Sequence, residues 1–313
     1  MLVGLPGLEG KEEKEGGGIM RDIISVGEVL IDLTQTGTTD QGIPAFSANP
    51  GGAPANVAVA AARLGAETAF FGKVGRDSFG AYLRRVLEEN GVDCSGLRTG
   101  SQPTTLAVVS VDSRGERDFQ FIRGADCTLS PEEVDEEALG RTKFLHFGSV
   151  SLTAGLERNA TIFAARHAHR AGVLVSYDPN YRAPLWKNPE EAAQWMAIPL
   201  PLVDVIKLSE EELPLLTGTR DPEEGSRLLE ERGISLILVT LGERGAFCRW
   251  RGESFSVPGA SVQVADTNGA GDTFLGAELW SLSGPSPLYS SRLMLITRAK
   301  SRSPLLYHSI SCL

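Results

Sequence analysis

The chain has 313 residues, of which 42% are hydrophobic and 22% charged, so it can bury a large core as a soluble globular protein. A formal net charge of −10 argues against nucleic acid or an anionic membrane surface as the main partner, because phosphate backbones call for a basic face. Cys94, Cys127, Cys248 and Cys312 form no CxxC pair and no apolar run reaches 18 residues, which leads to the expectation of a reduced, cytoplasmic chain with no membrane span.

The acidic, glycine-broken start (1–21) lacks the basic-then-apolar order of a signal peptide and is expected to be a disordered leader. IISVGEVLIDL (23–33) reads as one strand. Beyond the pair Gly51–Gly52, the alanine-rich APANVAVAAARLG carries helical spacing and stops at Gly65. FFGKVG (70–75) reads as a strand, and Asp77 is placed to cap the helix SFGAYLRRVLEENG. Two β-rich runs in 104–124 flank DSRGER and predict a hairpin. Strand-like segments then recur at 143–150, 173–179, 204–209 and 235–242. Helical patterns separate them near 155–170, 190–198, 210–217 and 222–232.

This alternation predicts an α/β domain over 22–280 with a mostly parallel sheet covered on both faces. Residues 30–50 and the hairpin fall outside the alternation and are expected to form a small β lid. Residues 281–313 hold four basic residues, no acid and nine serines. They read as an atypical tail, such as truncation or a frame shift would leave.

Five short stretches offer chemistry. In DTNGAGDTF (266–274) a glycine turn leads into a helical pattern at Asp272. Backbone amides converging at a helix N-terminus attract an anion, and an acid beside them can accept a proton. A base next to an anion hole is what phosphoryl transfer to an alcohol needs; a plain helix cap is the other reading of the same residues. NPGGAPANVA (49–58) offers close approach at its glycines and a hydroxyl partner in Asn56, or simply a turn before a helix. Asp32 ends an apolar run, facing either solvent or sugar hydroxyls. YDPNYRAPLW (177–186) ends a strand with Asn180 and Arg182, and KLSEEEL (207–213) opens a helix with acids that suit its dipole. TLGERGA (240–246) is a glycine turn after a strand. No P-loop and no GxGxxG after the first strand is present.

In order along the chain, GGAPANVAVAAARLG, GKVGRDSFG, FQFIRGAD, SYDPNYRAPLW, KLSEEELPLLTG, VTLGERGAF and DTNGAGDTF resemble the PfkB-type (ribokinase-like) carbohydrate kinases. The wording of GGAPAN and DPNYRAPLW is most similar to the fructokinase branch, with 2-keto-3-deoxygluconate kinases a close second. The resemblance implies a three-layer α/β/α domain with a small β lid. It implies ATP as donor, Mg²⁺, a monovalent cation such as K⁺, and a sugar primary hydroxyl as acceptor.

Carried over by motif, Asp272 is the base, and Gly269, Ala270 and Gly271 form the anion hole. Asp32, Gly52, Asn56, Arg123 and Arg182 hold sugar or phosphate. Asn180, Ser209, Thr240, Gly242 and Gly245 lie along the nucleotide, and Glu212 serves the metal. The chain departs from the family pattern at Ser209, where an asparagine is usual, and at Asn268, where a threonine is. The tail also departs from it and motivates a rival reading, a non-catalytic sugar-binding or partner-binding protein. A homodimer through the lid edge is the expected assembly.

Overall fold

The structure, a computed structural model, describes residues 20–111, 117–153, 155–259 and 269–284. The expected leader lies outside these residues up to position 19, with Arg21 already in the first strand, and the expected tail lies outside them beyond Gly284.

Fourteen strands are described: β1 (Arg21–Val26), β2 (Leu30–Thr38), β3 (Pro44–Gly51), β4 (Thr68–Gly75), β5 (Val92–Asp93), β6 (Leu97–Gly100), β7 (Leu106–Val111), β8 (Arg117–Ile122), β9 (Thr142–Gly148), β10 (Leu174–Asp178), β11 (Val205–Ser209), β12 (Leu236–Thr240), β13 (Ala246–Trp250) and β14 (Glu253–Val257). The α-helices are α1 (Ala53–Arg63), α2 (Ser78–Glu89), α3 (Glu136–Leu139), α4 (Gly155–Arg170), α5 (Pro189–Ala197), α6 (Leu213–Thr217), α7 (Pro222–Glu230) and α8 (Ala270–Ser283).

Ten strands form the main sheet in the order β14-β13-β12-β11-β10-β9-β1-β4-β5, with β6 also on β4. It is parallel from β12 to β5 and ends in the antiparallel pair β13–β14. Parallel strands buried on both faces must be apolar throughout, and LVSYD, VIKLS and LILVT are buried along most of their length. One face packs against α4 to α7 around Leu145, Phe147, Val175 and Ile206. The other packs against α1 and α8 around Ile23, Phe144, Val205 and Leu275.

The run 23–33, which reads as one strand, is two. Between Val26 and Leu30 the chain leaves the main sheet for a second one, ordered β3-β2-β7-β8. At the break Glu28 turns its carboxylate inward and accepts a 3.1 Å hydrogen bond from the Ala53 amide, which ties both sheets to the start of α1. The hairpin predicted over 104–124 is β7 and β8, paired antiparallel, although its turn lies outside the described residues. TLGERGA likewise joins antiparallel strands, β12 and β13. Asp77 caps α2 as its position predicts, accepting from the Gly80 amide at 2.8 Å.

Helices α1 and α8 approach so closely that a Cβ on Gly276 would stand 2.8 Å from the Val57 carbonyl. Small residues on both helices make that contact possible, and it brings the N-termini of two helices 216 residues apart in sequence side by side. Among the described residues no helix is long and apolar enough to cross a membrane.

Candidate active site

The site lies beyond the carboxyl ends of the parallel strands, where ligands gather in sheets of this kind. Its centre is Asp272 in the first turn of α8. Gly269 precedes the helix with φ 70°, a left-handed conformation suited to glycine, and lets the chain enter the helix directly. The amides of the first turn have no intrahelical acceptor and carry the positive end of the helix dipole.

Two amides from distant elements hold the Asp272 carboxylate, which is 7% exposed. Asn56 Nδ2 donates to Oδ2 at 2.7 Å, and Asn180 Nδ2 donates to Oδ1 at 3.3 Å. Burial, reinforced by the neighbouring Asp178 carboxylate, pushes Asp272 up to about 6, against Lys207, the Asn56 hydrogen bond and Arg182. A carboxylate with that value is ionised at neutral pH and basic enough to take a proton from an alcohol as its bond to phosphorus forms.

The other expected residues fall into three groups. Asn56 and Asn180 bond to Asp272, Asp32 and Arg182 lie close enough to act on its charge, and the Gly52 carbonyl accepts from the Asn56 amide at 2.9 Å. Asp32, half-buried on β2, is pushed up to about 6 by burial, with Arg182 opposing the shift and Asp272 adding to it. Gly52 has φ 111°, and a Cβ there would stand 2.5 Å from the Glu28 carbonyl, so only glycine fits. Asn56 Oδ1 is buried with no hydrogen-bond partner among the described residues, which leaves an acceptor for a hydroxyl.

A second group lies along the strand ends toward the antiparallel edge. Ser209 and Thr240 are paired in register at the ends of β11 and β12, with Gly242 and Gly245 in the turn that follows. Glu212 braces the loop after β10 to the end of β11: Oε1 accepts from the Tyr181 amide at 2.6 Å and Oε2 from the Ser209 amide at 2.8 Å. The Ser209 hydroxyl returns a bond by accepting from the Glu212 amide at 3.2 Å, so serine does the local work at this position.

Arg123 forms the third group alone, with its guanidinium paired to acids of the protein. Its guanidinium is drawn under the second sheet by buried acids. It contacts Asp126 at 3.0 Å, Glu157 at 2.6 Å and the Thr153 hydroxyl at 2.7 Å. Glu28 is close enough to be stabilised by it and sits at about 7, raised mainly by burial.

Sequence reasoning passed over two residues at the centre, Asp178 and Lys207. Lys207 Nζ donates to Asp178 Oδ2 at 2.8 Å, with both side chains buried. The signal was present: a lysine inside the apolar strand VIKLS needs a buried partner.

An acid held by amides at a helix N-terminus, with glycine turns nearby, is the equipment that phosphoryl transfer to an alcohol needs. The comparisons agree. The family model for pfkB family carbohydrate kinases matches residues 20–288, and the chain belongs to that family. It is a sugar kinase. Over 266 residues it is 44% identical to a probable fructokinase-4 of Arabidopsis thaliana, covering 82% of this chain and 81% of that one. A fructokinase from Xylella fastidiosa, solved with bound ATP, superposes with a TM-score of 0.78 at 37% identity, covering 85% of this chain and 82% of that one. A fructokinase from Vibrio cholerae O395, solved with fructose, ADP and a calcium ion, gives 0.74 at 38% identity, covering 84% of each chain.

Proposed function

We propose that the chain transfers the γ-phosphoryl group of ATP to the terminal hydroxyl of D-fructose, giving fructose 6-phosphate. The observation that carries this reading is the Asp272 carboxylate, fixed by Asn56 and Asn180 at the start of α8. The relatives named above, with fructose, ATP or ADP bound in two of them, support the choice of sugar and donor.

The sugar lies against Asp32, Gly52, Asn56 and Arg182, with the unsatisfied Asn56 Oδ1 accepting from a hydroxyl. The nucleotide lies along Asn180, Ser209, Thr240, Gly242 and Gly245. Asp272 removes the hydroxyl proton as the oxygen attacks phosphorus in line. The first-turn amides at Gly269, Ala270 and Gly271 steady the charge that spreads over the phosphoryl oxygens. Mg²⁺ would neutralise part of that charge when bound with the nucleotide. Glu212 fits a role in holding it through water, since each of its oxygens already accepts one main-chain bond and Mg²⁺ keeps several waters. The second sheet closes as a lid and excludes water that would otherwise hydrolyse ATP.

Three further expectations stand with this reading. The described cysteines Cys94, Cys127 and Cys248 are unpaired, which supports a reducing, cytoplasmic setting. Exposed Ile43, Phe46 and Ile122 on the lid strands and the loop between them support a homodimer through the lid. A K⁺ requirement is to be read from activity with and without the ion.

The test is ADP release from MgATP across a sugar panel that includes fructose and 2-keto-3-deoxygluconate. The expected result is turnover with fructose above all others. ADP release with none of them, alongside calorimetric sugar binding, would replace the kinase by a binding protein.

A further inference from the structure

Lys207 is a lysine in the middle of the main sheet, flanked on β11 by Ile206 and Leu208, both fully buried, and itself 6% exposed. Its ammonium donates to Asp178 Oδ2, and a Cβ built on Gly271 would stand 2.7 Å from Nζ. The charge therefore lies directly beneath the first turn of α8, one residue before Asp272. The opposite oxygen of Asp178 accepts from the Asn180 amide at 3.1 Å. That bond secures Asn180 at φ 43°, a left-handed conformation that asparagine tolerates better than most residues. The side chain of Asn180 then donates to Asp272. From β11 to α8 the path runs Lys207, Asp178, Asn180, Asp272, with each link a described contact.

We propose that Lys207 and Asp178 are positioning residues for the base: Lys207 offsets the repulsion between the Asp178 and Asp272 carboxylates, and Asp178 aims the Asn180 amide at Asp272. The inference rests on the kinase reading and adds to it a reason why a lysine is buried in this strand. Burial alone would lower the Lys207 pKa, but Asp178, Glu212 and Asp272 together raise it, so the ammonium stays charged. Among the described residues, the other charged groups that face Asp272 are Arg182, from the loop after β10, and Asp32, on β2. Neither belongs to the path, and both remain when Lys207 or Asp178 is changed.

The pair makes a prediction of opposite signs that loss of packing cannot mimic. In Lys207→Met, two carboxylates face each other without their cation, and the acid limb of kcat/KM moves up by on the order of one pH unit. Turnover at pH 7 falls by roughly tenfold or more. Asp178→Asn removes the like charge and moves the limb down. The double variant brings the limb back toward that of the parent.

The experiment is kcat/KM for fructose against pH for the parent and the three variants, with thermal melting as the folding control. If Lys207→Met does not fold, Asp178→Asn decides, because a limb that stays put or rises contradicts the proposal. An unmoved limb in a folded Lys207→Met, or shifts of both single variants in one direction, also overturns it while the kinase reading survives. A parent protein that releases no ADP with any sugar overturns the kinase reading, and this inference with it.

Discussion

The molecule contains two buried clusters of nearly the same composition and opposite use. In one, Lys207 sits among Asp178, Asp272 and Glu212. In the other, Arg123 sits among Asp126, Glu157 and Glu28. Each gathers three acids around one cation, and in each burial pushes carboxylates above their ordinary range. The difference lies in where each cluster opens. The Lys207 cluster stands at the strand ends against a helix N-terminus, and side-chain amides rather than the cation hold the outermost carboxylate. The Arg123 cluster is enclosed where the second sheet meets α4, and its guanidinium takes contacts from Asp126, Glu157, Thr153 and the Val150 carbonyl. Charge composition alone does not make a catalytic site. An acid with a face turned to the strand ends does.

The comparison breaks most sharply at Asp272. Asp272→Asn keeps the shape but gives up one of the two accepted amide hydrogen bonds and cannot accept the proton, so kcat falls by about 10²–10⁴-fold. Fructose affinity measured by calorimetry stays within a few-fold of the parent. A variant that turned over at the parent's rate would move the base elsewhere.

The next effect belongs to the enclosed cluster. Arg123→Met leaves buried acids without their cation and is expected to cost about 3–5 kcal/mol, read from urea unfolding. If stability held and only sugar affinity fell, Arg123 would be a binding residue after all. Glu28 sharpens the same contrast through pH. Its folded pKa of about 7 lies above its ordinary 4.5, so the folded state keeps a proton that the unfolded chain releases. Stability contributed by that proton falls as pH rises from about 4.5 to about 7. Glu28→Gln flattens this slope and is more stable than the parent at pH 8 by on the order of 2–3 kcal/mol. The smallest effect is at Arg182, which is exposed. Arg182→Ala raises the sugar KM by less than about tenfold and leaves kcat nearly unchanged.

The elements were mostly legible because periodicity is local: the β-rich runs from 143 to 242 and the helices between them fall where their patterns lie. The break at Gly27–Val29 was not, and the bond that Glu28 makes there reaches an amide 25 residues away. Asp272, Asn56 and Asn180 were legible as motif residues, but their convergence spans 216 and 92 positions and no spacing rule reports it. The pairing of Arg123 with Glu157, 34 residues on, is equally beyond any spacing rule. Lys207 and Asp178 each carried a sign, a charged residue at or within an apolar strand. Only the adjacency of β10 and β11 makes them a pair.

The central measurement is the pH dependence of kcat/KM for fructose with saturating MgATP, in the parent and in Asp272→Asn. A base titrating at about 6 gives a parent rate that drops tenfold per pH unit below that value, and a residual rate in the variant without that limb. A parent profile flat from pH 5 to 8, or the same limb persisting in the variant, would show that another group takes the proton.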